Sequence, residues 1–209
     1  MSVKLEIIEN FLSEEDLSEL QSIILKETKH KQMNVYVNRI KDNNVTGDGI
    51  KEESVKRLHK NYHSRAMEIL KKLYPKKADL YEYSEFGITD TGPDYVFPIH
   101  NDTPDKLLSG VIYLSPEHNV GTKFYSNKKG EEELNVDWKI NRGVFFSRDE
   151  KKSWHSFNGD KSQVRRVLIY NLMTSNIKGV CKVENVNYLI VRLKHLINPY
   201  LYKYFKFVI

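Results

Sequence analysis

A chain of 209 residues, 40% hydrophobic and 11% aromatic, holds enough apolar side chains for a packed core, and no linker-like stretch divides it, so one domain over 1–209 is expected. Lys and Arg outnumber Asp and Glu by 33 to 28, and the net +5 is scattered along the chain, which describes a solvated surface and argues against a nucleic-acid groove. The lone cysteine, Cys181, excludes a disulfide framework or a Cys-rich zinc site within the chain; with no apolar run of about 18 residues and no hydrophobic leader, a reducing, cytoplasmic setting is expected.

Residues 3–8, VKLEII, alternate in polarity and predict a short strand. A helix follows in LSEEDLSELQSIIL, where Ser13 is a suitable N-cap and Glu14, Glu15 and Asp16 complement the helix dipole. Leu17, Leu20, Ile23 and Ile24 form its apolar stripe. Residues 37–50 are rich in turn formers and read as a loop. A second helix is predicted from about 51 to 74, with Val55, Leu58, Tyr62, Ile69, Leu70 and Leu73 at helical spacing and Pro75 closing it.

From residue 79 the pattern changes to short strands separated by turns: DLYEYSEF, YVFPIHND, SGVIYLS, GTKFYS, GVFFS, WHSF and RRVLIYNLM. The expected class is mainly β with flanking helices (α+β). It divides into a helical N-terminal part over about 1–78, a β-core over about 79–175 and a C-terminal extension over about 183–209. In that extension Leu189, Leu193, Leu196, Tyr200 and Tyr204 recur at helical spacing among basic residues, and Pro199 is expected to bend or break the helix. Peripheral contact with a membrane or partner is one reading; a helix burying its stripe on the β-core is the more ordinary one.

FPIHND, residues 97–102, raises the chemical question. Strand alternation would send His100 and Asp102 to one side. His155 follows in SWHSF, and Arg165 opens RRVLIYNL ten residues later. Two histidines and a carboxylate on one face of a metal leave open positions, which suits non-haem Fe(II). An arginine nearby offers a planar fork for a second carboxylate. Each residue also has an ordinary structural use: Asp102 as a turn cap, His100 as a strand-end histidine, His155 as a buried neighbour of Trp154. His59 and His63 stand four apart on a predicted helix, but Lys60 occupies the place of a zinc protease's glutamate, and they read as a surface pair.

The ordered set, together with IIENFLSEEDLSEL, SGVIYLSPEHNVGTKFYS and NRGVFFSRDEKKSWHSF, resembles the 2-oxoglutarate- and Fe(II)-dependent oxygenases, in their prolyl-4-hydroxylase-like branch. The resemblance implies a double-stranded β-helix (jelly roll) with N-terminal helices packed outside. It implies Fe(II) at His100, Asp102 and His155 as the catalytic site, and 2-oxoglutarate anchored by Arg165, with Arg166 as the competing candidate. Tyr113 or Tyr83 would hydrogen-bond the same carboxylate, and Asn171 shares a strand face with Arg165. Dioxygen and 2-oxoglutarate would be co-substrates, succinate and CO2 co-products, and ascorbate a reductant. Peptidyl proline, an amino acid or a sugar-type molecule would be hydroxylated, with residues 37–50 and 87–94 as lids. The sequence departs from the family at Gly121-Thr122, where paired glycines are usual. Retention of Asp102 argues against halogenation, and Asn171, in place of a second arginine, argues against nucleic-acid demethylation. The alternatives are a cupin-like metal enzyme that does not use 2-oxoglutarate and a non-catalytic binding module.

Overall fold

The computed structural model describes residues 3–205. In chain order, β1 (Leu5–Ile8) leads into α1 (Glu14–Ser22), and β2 (Met33–Lys41) with β3 (Asn44–Gly47) precede α2 (Glu52–Leu73). A short 3-10 turn, Pro75–Leu80, opens the strand-rich part: β4 (Tyr83–Thr91), β5 (Val96–His100), β6 (Lys106–Ser115), β7 (Thr122–Tyr125), β8 (Leu134–Val136), β9 (Gly143–Phe146), β10 (Trp154–Asn158) and β11 (Arg165–Met173). Two helices follow, α3 (Ile177–Glu184) and α4 (Tyr188–Phe205). The strands form two antiparallel sheets, β1-β9-β6-β11-β4-β2-β3 and β5-β10-β7-β8, the two layers of a double-stranded β-helix.

Alternation along β11 sorts side chains between two cores. Leu168, Tyr170 and Leu172 leave the outer face of the large sheet and join Phe86, Ile88 and Ile112 against Val55, Leu58, Ala66 and Leu70 of α2. Val167 turns inward with Tyr113, Phe124, Val144 and Phe146, between the sheets. α1 begins as expected, with Ser13 accepting from the Asp16 amide. Asn141 ties its entry to the sheet by exchanging two 2.8 Å hydrogen bonds with the Leu12 backbone.

Four expectations are corrected. Residues 37–50 are not a loop: most of them belong to the β2–β3 hairpin, whose two-residue turn places Asp42 and Asn43 at φ +47° and +63°. The turn formers there serve a tight hairpin, so the N-terminal part is not purely helical. Residues 87–91 form no lid, because they are the buried end of β4, paired with β11 on one side and β2 on the other. α4 runs unbroken through Pro199. It does not bury its stripe on the core: Leu189, Leu193, Leu196, Tyr200 and Tyr204 are exposed. Among the described residues, no helix is long and apolar enough to cross a membrane.

Candidate metal centre

β5 and β10 pair with His100 directly opposite His155, so both imidazoles leave one face and their rings lie 4.2 Å apart. Asp102 lies beyond the end of β5, so strand alternation does not place it. Side-chain bonds do: Lys106 Nζ donates to Oδ1 at 2.7 Å and Ser109 Oγ donates to Oδ2 at 2.5 Å. Arg148 also donates to the Asp102 carbonyl. The donor atoms of His100, Asp102 and His155 then fall within 4.8 Å of one another.

The protonation states suit metal ligation. Each histidine donates its Nδ1 proton to a backbone carbonyl, Pro98 for His100 and Ser153 for His155, which leaves Nε2 with its lone pair. Burial, reinforced for His100 by its neighbour His155, lowers both imidazole pKa values and keeps the rings neutral. Burial alone would raise the Asp102 carboxyl. The Lys106 ammonium beside it, by charge and by hydrogen bond, leads the groups that outweigh burial and hold the carboxyl well below the ordinary carboxylate range.

A cavity of about 320 Å³ opens on this cluster, with Arg165 in its wall. Arg165 is 1% exposed, and its Nε has no hydrogen-bond partner among the described residues. Its Nη2 lies 3.5 Å from Thr122 Oγ1, and the guanidinium packs over the rings of Phe157, Trp138 and Tyr113 at 4.8–5.5 Å. No carboxylate among the described residues pairs with it. Desolvation lowers its pKa to about 10, still charged at neutral pH. A buried cation with an orphaned donor is costly unless an anion completes it. The residues present therefore fit a carboxylate ligand beside a metal.

Arg166 leaves the opposite face of β11 and is fully employed there. It forms a two-pronged 2.8 Å pair with Asp90 and donates to the Gln21 and Ile23 carbonyls. The two tyrosines expected at the cofactor carboxylate are placed otherwise. Tyr113 lies beneath Arg165, but its hydroxyl donates to Thr122 Oγ1 at 3.0 Å, and it is Thr122 that lines the cavity. Tyr83 is outside the cavity, in a shallow depression with Arg39. Gly121 has no room for a side chain, since a Cβ there would lie 1.8 Å from the Val136 carbonyl oxygen. The departure at Thr122 supplies the hydroxyl shared by Tyr113 and Arg165.

Sequence reasoning missed Lys106, Ser109 and Glu85. Lys106 stands four residues after Asp102, a spacing that a search for ion pairs would have found. Glu85 accepts from Asn171 Nδ2 at 3.2 Å on the cavity wall, and Asn171 Oδ1 is left without a partner. His59 and His63 stack on each other and join no third ligand among the described residues.

No protein-family model and no curated protein sequence matches the chain. Solved structures do. A prolyl-4-hydroxylase from Pseudomonas putida aligns with a TM-score of 0.57 at 15% identity, over 83% of this chain and 94% of that one. A 2OG-Fe(II) oxygenase family oxidoreductase from Burkholderia pseudomallei aligns with a TM-score of 0.55 at 17% identity, over 81% and 84%. HygX from Streptomyces hygroscopicus, with nickel and 2-oxoglutarate bound, aligns with a TM-score of 0.54 at 8% identity, over 84% of each chain. The chain has the jelly-roll fold that these oxygenase structures share.

Proposed function

We propose that the protein is an Fe(II)- and 2-oxoglutarate-dependent oxygenase that hydroxylates an unactivated C–H bond. One observation carries the reading: a buried guanidinium with no carboxylate partner among the described residues, Arg165, lines the same cavity as the His100–Asp102–His155 cluster. Nickel and 2-oxoglutarate bound to HygX, a protein of the same fold, support it.

In this reading His100, Asp102 and His155 hold Fe(II), and Arg165 takes the distal carboxylate of 2-oxoglutarate. The bound pair, with dioxygen, supplies C–H hydroxylation coupled to conversion of 2-oxoglutarate into succinate and CO2. The chain's own residues prepare that chemistry. The Pro98 and Ser153 carbonyls fix the imidazole tautomers and ring orientations. Lys106 and Ser109 keep the Asp102 carboxylate anionic and aimed. Val35, Val37, Val167 and Ile169 give the cavity an apolar wall, and Glu85 with Asn171 sets a polar group on that wall for substrate placement. Peptidyl proline, an amino acid and a sugar-type small molecule are the proposed substrate classes.

The test is anaerobic visible absorption during addition of Fe(II) and then 2-oxoglutarate. A charge-transfer band that requires both additions is expected, absent in Asp102→Ala and weakened in Arg165→Ala. A well-folded wild type that shows no band would remove the reading.

A further inference from the structure

α4 is seated by one side and open on the other. Val191 is buried, whereas Leu189, Ile190, Leu193, Leu196 and Tyr200 are 56–71% exposed. The 189-193-196-200 spacing aligns four of these along one helical face, away from Val191. A helix that merely covered the core would turn this stripe inward. The charge around it is one-sided as well. The sequence of α4 carries no Asp or Glu, and its Arg192 is exposed beside the stripe. The carboxylates near the base of the helix are already neutralised: Glu184 by Lys77 and Arg148, Glu150 by Arg148 and Lys194. Lys178 adds a further cation, its Nζ 5.5 Å from the Tyr188 ring.

We infer that α4 is an interfacial helix that docks the protein on an anionic lipid bilayer. The stripe supplies apolar burial at the level of the headgroups, tyrosine suits that depth, and the flanking cations meet anionic lipid. A second copy of this chain would bring the same positive charge to the same face, so the charge favours lipid over self-association. The inner side of α4 carries the consequence for the site. Val191, Lys194 and His195 form one wall of a groove of about 240 Å³ that has Phe97 and Trp154 opposite and reaches His100 and Asp102. Docking through α4 brings that groove close to the membrane surface. The inference needs only the helix and stands independently of the oxygenase reading.

The experiment is co-sedimentation of the full chain with vesicles of phosphatidylcholine alone, and of equal parts phosphatidylcholine and phosphatidylglycerol. The wild type is expected to pellet with the anionic vesicles only, and less so as salt rises. Leu193→Glu with Leu196→Glu should reduce the bound fraction about tenfold or more, with an unchanged circular dichroism spectrum because both positions are exposed. Arg192→Glu should weaken binding while sparing the stripe. Wild type that stays in the supernatant with both vesicles, or pellets equally with both, overturns the inference. So does a dimer in light scattering that the double variant dissolves without any vesicle binding by the wild type.

Discussion

Arg165 and Arg166 are adjacent in sequence and leave opposite faces of β11, which is enough to separate their roles. Arg165→Met should weaken 2-oxoglutarate binding about 10- to 100-fold, the equivalent of losing a charge-assisted hydrogen bond worth about 1.5–3 kcal/mol, as read by the anaerobic titration. Arg166→Met should leave that affinity unchanged and lower stability by about 3 kcal/mol, because it strands the buried Asp90 carboxylate. Asp16 offers a pH-dependent test away from the site. Burial raises its carboxyl pKa, but hydrogen bonds from Tyr62, Arg57 and Ser13 outweigh burial and leave it lowered. A lowered folded pKa means that its stabilisation is present above the unfolded value of about 3.9 and is lost as pH falls through the folded value. Tyr62→Phe should therefore cost about 1–3 kcal/mol in urea unfolding near pH 7, and the difference from wild type should shrink below about pH 3.

Among the elements, α2 depends on the large sheet for its stability. Leu58 and Leu70 are fully buried there, and Leu58→Ala should cost about 2–5 kcal/mol with an unchanged urea m-value. This helix was legible in the sequence because its apolar period is long and its ends are marked by Glu52, Glu53 and Pro75. The β2–β3 hairpin was not. Its first strand carries Asn38 and Arg39, polar residues whose partners come from outside the hairpin: Asn38 exchanges hydrogen bonds with the Ile50 backbone, and Arg39 pairs with Glu85 of β4. Without those partners the segment looks like solvated loop. Val37 of this misread segment, with Met33 and Val35 just before it in β2, lines the cavity, so the hairpin builds part of the candidate site.

Across the whole molecule, the proposed centre joins β5, β10 and the segment before β6, so a bound metal would link parts of the chain distant in sequence. A ligand that binds only the folded state stabilises it by about 2.7 kcal/mol at a concentration a hundred times its Kd. For a chain of this size that corresponds to a rise in Tm of about 5–10 °C. Anaerobic Fe(II), or redox-inert Mn(II) in its place, should produce such a rise in calorimetry with the wild type and none with Asp102→Ala. A rise that persists in Asp102→Ala would place the metal elsewhere.

What the sequence determined by itself is the local grammar: a Ser13-capped helix, the long amphipathic α2, strands whose alternation separates Arg165 from Arg166, and the ordered donors His100, Asp102, His155. These are legible because periodicity and capping act between residues a few positions apart. Only the tertiary structure decided which groups meet. It set His100 opposite His155 across two strands, clamped Asp102 with Lys106 and Ser109, put the Thr122 hydroxyl beside Arg165 on the cavity wall, turned residues 33–47 into a sheet edge that walls the cavity, and left the stripe of α4 facing outward. Those outcomes depend on burial and on partners far along the chain, and a one-dimensional pattern of residue types carries neither.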